Sequence, residues 1–179
     1  PMNTDSKLMD MLTDYAAAHQ HPVNIALHLI GIPIIMFGVF IPMTWIMIDF
    51  IGIEINLAQI ALFAMFLFYL TLDKIFAGVF FVFAIAVAEL AAFVGSYSQY
   101  IATITAVTTF FGGYAIQFLG HTIEKSMPVV LKHPVQANLA APFFTIVEIF
   151  KLLGFREILF TEVQKRIKQT EPGEAHDEA

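Results

Sequence analysis

The stretch IFAGVFFVFAIAVAELAAFVG, residues 75–95, decides the fold. It carries one charge, Glu89, and as a helix it meets the ~20 mostly apolar residues needed to cross the ~30 Å hydrocarbon core of a bilayer. Asp73 and Lys74 stand immediately before it and Gly95-Ser96 closes it. Working outward, three further apolar stretches of comparable length follow the same reading, so the predicted spans are about 28–48, 55–72, 75–95 and 101–120. Between His28 and Gly120 the only charged residues are Asp49, Glu54, Asp73, Lys74 and Glu89, and the first four fall at the breaks. The tight Asp73-Lys74 turn predicts an antiparallel helical hairpin.

The whole chain agrees with a lipid solvent. Its 179 residues are 58% hydrophobic and 13% charged, with a mean hydropathy of +0.75, against the ~45–50% and ~25% of an ordinary soluble domain. The expectation is one all-α domain over 1–169: an integral membrane bundle of about four transmembrane helices with amphipathic interfacial helices at both ends. No cysteine is present, which excludes a disulfide scaffold and a thiolate metal site. A net charge of −6 argues against a nucleic-acid partner.

The ends read differently from the middle. Asp5, Lys7, Asp10 and Asp14 stand where a signal peptide would need a basic start and an apolar run. Residues 6–18 instead place Leu8, Met11, Leu12, Tyr15 and Ala16 on one helical face. Residues 139–153 are apolar but carry Glu148 and Lys151 and are short for a span, which predicts a re-entrant or interfacial helix broken by Gly154. Over 155–168, Phe155, Ile158, Leu159, Val163 and Ile167 share a face that ends in Lys165, Arg166 and Lys168. That pattern suits a helix on an anionic leaflet or one packed on the rest of the protein. The acidic tail 170–179 is expected to be disordered. Four crossings put both termini on one side together with all nine Lys and Arg, so both termini are expected in the cytoplasm, of the inner membrane in a bacterium or the endoplasmic reticulum in a eukaryote.

Five of the six histidines lie in two segments, 19–28 and 121–133; His176 is in the tail. Pro22 breaks or starts a helix, so a bend there can return His19 over the start of the first span, where Asn24 and His28 share a face. His121 and Glu124 share a face after the fourth span. Imidazoles and carboxylates at one membrane depth suit a divalent transition metal such as iron, zinc or manganese. The plain alternative is that these histidines are interfacial caps on spans. Glu89 lies inside the third span, two turns from its end. It suggests a proton or ion path, and hence a second functional reading, a small non-enzymatic transporter or channel; a Glu reaching outward to the interface, or paired with Tyr97 or Gln99, is the quieter one.

The motif Tyr15-x3-His19-x2-Pro22-x-Asn24-x3-His28-x4-Pro33 resembles the N-terminal signature of the small membrane 2-hydroxy fatty acid dioxygenases, the Mpo-type family. The second motif, Gln117-Phe118-x-Gly120-His121-x2-Glu124-x3-Pro128, followed by Gln136, Pro142 and Glu148, is similar to that family's second signature. The resemblance implies an Fe(II)-dependent dioxygenase of fatty acid alpha-oxidation that uses O2 to convert 2-hydroxy fatty acids to acids one carbon shorter. It implies His19, His28 and His121 as metal ligands, and Asn24 and Glu124 as the other polar positions, the candidate catalytic residues. This chain has Gln20 where fungal members carry a histidine after the first one, and its neighbouring histidine is His21. The fourth ligand is open between His21 and Glu124, with Glu124 favoured in an outer role; His133 matches no family position. The substrate's acyl tail would lie between apolar helices in membrane lipid.

Overall fold

The computed structural model describes residues 7–127, 131 and 133–170. Residues 171–179 of the tail expected to be disordered, with His176 among them, and Pro128 of the second motif lie outside them, whereas Thr170 is described and helical. Seven helices are described: α1 (Lys7–Ala18), α2 (Pro22–Met43), α3 (Leu57–Leu70), α4 (Lys74–Gly95), α5 (Gln99–Glu124), α6 (Pro134–Leu152) and α7 (Glu157–Thr170). A two-stranded hairpin, β1 (Met47–Phe50) and β2 (Ile53–Asn56), joins α2 to α3. The protein is an all-α membrane bundle, and α2, α4, α5 and α6 are each long and apolar enough to cross a membrane.

Local chemistry sets the boundaries, and in places they depart from the predicted spans. The expected helix 28–48 starts earlier and stops sooner. Pro22 occupies the first turn, where its missing N–H costs nothing, and His21 caps it. Thr44 ends the helix. The β-branched alternation Ile46, Ile48, then Ile51, Ile53, Ile55 favours strands beyond it. The expected span 55–72 is a helix of only 14 residues, about 21 Å at 1.5 Å per residue. Asn56 and Gln59 form a reciprocal capping box at its start. Asp73 caps α4 by accepting from the N–H groups of Ile75 and Phe76, both at 3.0 Å. The last predicted span, 101–120, extends to Glu124, so His121 and Glu124 ride on α5 itself.

Helix α6 begins at Pro134, not at 139, and its 19 residues reach spanning length. Its contacts lay it across one end of the bundle. Leu139 accepts from the Tyr69 hydroxyl, Phe143 meets both Tyr69 and Phe76, Phe150 meets Phe76 at 5.0 Å, and Arg156 beyond it pairs with Asp73 at 2.8 Å. From Leu139 to Phe150 α6 thus meets the α3–α4 turn. Above it, α7 buries Leu159, Val163 and Ile167 and packs on α1, so this face meets protein. Phe155 and Ile158, expected on that face, are exposed.

Helices α2 and α5 make the closest contact in the bundle. A Cβ on Gly31 would stand 3.1 Å from the Gly113 carbonyl, and one on Gly38 would stand 2.5 Å from Thr109 Oγ1 and 2.9 Å from the Phe110 amide nitrogen. Small residues permit this backbone approach, the usual device where lipid offers no hydrophobic drive. Gly38→Val should therefore force the helices apart and cost ~1–3 kcal/mol, a fall of several degrees in Tm. Gly78→Val, with no neighbour within 4 Å, is the matched control; equal melting of the two variants in detergent would refute the close-packed seam.

Candidate metal centre

His19 follows α1, His28 lies in the second turn of α2, and His121 lies in the last turn of α5. The antiparallel α2–α5 pair brings His28 and His121 to one level, and the Pro22 break folds α1 back so that His19 joins them. All three are buried, at 4, 5 and 4% exposure, and their ring centroids are 4.4 to 4.9 Å apart. Each offers one ring nitrogen within 4.8 Å of the others', a group that could hold a metal ion.

The hydrogen bonds fix which nitrogens face inward. His19 Nδ1 lies 2.8 Å from the Tyr15 carbonyl and His28 Nδ1 lies 2.9 Å from the Asn24 carbonyl. A carbonyl only accepts, so each Nδ1 carries the proton and each Nε2 presents a lone pair. Burial lowers the His19 pKa to about 4, against the opposing bond to Tyr15, so the ring is neutral at physiological pH. The two Nε2 atoms nevertheless face each other at 3.2 Å. Two lone pairs at that separation repel unless a cation lies between them. Metal–imidazole bonds of ~2.0–2.1 Å set neighbouring ligand nitrogens roughly 3.0–3.4 Å apart, so the donors present fit a transition metal. The third ring, His121, has its Nδ1 at 3.0 Å from Ser126 Oγ.

Supporting contacts hold these rings. Tyr15 stacks between His19 and Phe144, with both centroid distances 4.0 Å. Burial, reinforced by Glu148 and Glu124, pushes its hydroxyl pKa up. Glu124 lies outside the three-histidine group. One of its oxygens accepts from the Gln20 backbone N–H at 2.6 Å and the other from Asn24 Nδ2, tying the end of α5 to the α1–α2 junction beside His19. Asn24 is fully buried and its Oδ1 occupies the space a Cβ on Gly120 would fill. His21 is not brought to the cluster. It is exposed, and its Nδ1 accepts from the Val23 amide at 3.1 Å. Glu89 lies on the exposed face of α4 beside Ile85, Leu90 and Phe93 and does not line the cavity described next.

The histidines stand at one end of a cavity of about 680 Å³. Its walls are largely apolar, from Ile32, Ile35, Met36 and Val39 on α2 to Phe110, Tyr114 and Phe118 on α5, with α6 crossing over the histidine end. His133 and Gln136 sit at its rim, exposed. Gln117 lines it one turn before His121, and its Nε2 is buried with no hydrogen-bond partner. Spacing alone assigns His133 no role and marks Gln117 only as part of a motif; the packing of α6 on α2 and α4, with the Tyr114–Asn138 bond to α5, sets both on this cavity.

A model of the family described as 2-hydroxy-palmitic acid dioxygenase Mpo1-like matches residues 6–153. The chain belongs to the Mpo1-like family. The match takes in all three buried histidines and every helix from α1 to α6, and leaves out α7 and the tail. Comparison with curated proteins and with solved structures gave no match. The Mpo1-like name speaks of a dioxygenase acting on a 2-hydroxy fatty acid, and the buried imidazole cluster is a place where such an enzyme could keep a metal.

Proposed function

We propose that the chain is an Fe(II)-dependent dioxygenase of fatty acid alpha-oxidation, converting 2-hydroxy fatty acids to acids one carbon shorter at the membrane interface. The observation that carries this reading is the pair of unprotonated Nε2 atoms facing each other at 3.2 Å at the head of an apolar cavity. A ferrous ion, when bound, supplies Lewis acidity and the electrons that activate O2.

His19, His28 and His121 would hold it as neutral ligands. They bring no charge to balance a divalent cation in a buried place, which favours an anionic chelating partner. The carboxylate and neighbouring hydroxyl of a 2-hydroxy acid fit that need. Tyr15 and Phe144 keep the His19 ring in place, and Glu124 with Asn24 keeps the segment bearing it against α5, in an outer role. The apolar walls exclude water and take the tail, and the unpaired Gln117 amide offers a donor to the oxygen-rich head.

Basic residues gather at the histidine end, with Lys7 over the Phe68 ring and Arg156 on Asp73. This supports a cytoplasmic face for that end and for both termini. The test is anaerobic loading with Fe(II), followed by O2 and a 2-hydroxy fatty acid, with product masses read out. A product one carbon shorter, formed only with iron and O2 together, is expected. An iron-loaded protein that leaves the substrate intact would overturn the proposal.

A further inference from the structure

The cavity has a direction. Val39 is 11 residues beyond His28 on α2, and Phe110 is 11 residues before His121 on α5. The helices are antiparallel, so the two counts measure the same depth independently, about 16 Å at 1.5 Å per residue. Half of the ~30 Å hydrocarbon core, about 15 Å, is the depth that one acyl chain of a membrane lipid occupies. Ile32, Ile35 and Tyr114 line the path between. At the deep end α2 and α5 close on each other, where the Gly38 position meets Thr109 and the Phe110 backbone. Between the two ends the Tyr114 hydroxyl donates to Asn138 Oδ1 at 2.5 Å, joining α5 to α6 over the groove.

We infer that this groove is the binding site for the substrate's acyl tail, and that Val39 and Phe110 at its deep end set the chain length the protein prefers. The inference rests on the proposed function, because it takes the head group to lie at the histidines. A fatty acid in the cytoplasmic leaflet already has its head at the interface and its tail along the membrane normal. It can therefore move sideways into the groove without turning over. Tail carbons up to the depth of Val39 gain close packing against the groove walls, and carbons beyond it meet the closed end.

The experiment compares wild type, Val39→Phe and Phe110→Ala in detergent across a series of 2-hydroxy fatty acids of increasing length. Turnover is measured with iron loaded, and binding is measured separately on metal-free protein by displacement of a fluorescent fatty acid. Val39→Phe fills the deep end, so its length optimum should shorten, with affinity for the longest acids falling tenfold or more relative to the short ones. Phe110→Ala should lengthen the optimum. Melting temperature and iron content report whether each variant has kept its fold. Should both folded variants keep the wild-type length profile in binding and in turnover, the inference fails. Wild type that binds fatty acids with a length optimum moved by these substitutions, yet turns none over, would leave the groove standing and overturn the dioxygenase reading instead.

Discussion

His121→Ala should lose its metal by more than ~100-fold in affinity and all measurable turnover, while remaining a folded protein in detergent. The ring supplies one of the three buried imidazoles among the described residues, and removing a ligand should exceed the ~10–100-fold that loss of an outer partner costs. No backbone contact depends on it, and its one hydrogen-bonded neighbour, Ser126, lies at the helix end where water can replace the ring. His21→Ala is the matched control. That histidine is exposed and caps α2, so its loss should cost about 1 kcal/mol in stability and leave iron bound. Iron content by mass and Tm in the same sample decide the matter; full iron in His121→Ala would dismiss the site.

The second large effect concerns Glu124. Both of its oxygens accept from donors, the Gln20 backbone N–H and Asn24 Nδ2. Glu124→Ala leaves the exposed Gln20 N–H to water but strands the buried Asn24 Nδ2, and a buried donor without a partner costs ~1–3 kcal/mol. Glu124→Gln keeps one acceptor and turns an NH2 group against the other donor. In an outer role, Glu124→Gln should retain iron with affinity weakened ~10–100-fold, and Glu124→Ala should bind less and melt lower. If Glu124→Gln instead lost iron as completely as His121→Ala, the carboxylate would be a ligand. A variant equal to wild type in iron, turnover and Tm would remove Glu124 from the machinery altogether.

The bundle was legible because charge is so scarce between His28 and Gly120 that each charged residue outside Glu89 marks a break. What hydropathy could not separate was strand from helix at 47–56, since isoleucines and phenylalanines serve both; the alternation of β-branched residues and the Asn56/Gln59 capping box were the available signals. Nor can apolar length tell a helix that crosses from one that lies across. The direction of α6 comes from Tyr69, Phe76 and Asp73, all contacts distant in sequence. At the site, Pro22 made the approach of His19 to His28 foreseeable. The orientation of their rings was not, because it depends on two backbone carbonyls. The groove depended on the seam at Gly31, Gly38 and Gly113, whose spacing becomes meaningful only once α2 and α5 are known to touch.

The three histidines also bear on how this chain holds together. His28 and His121 belong to two helices already locked by their glycine seam, whereas His19 follows α1, which meets the bundle through stacked rings and the Glu124 contacts. His19 and His121 are about a hundred residues apart in the chain. An ion gripping both would close a covalent-like ring of that size, and restricting the unfolded chain by such a ring is worth ~4.7 kcal/mol in the chain-entropy account of cross-links. In a protein without cysteine, the metal would then act as the chain's one staple. Its free concentration would set how often the N-terminal helix lets go.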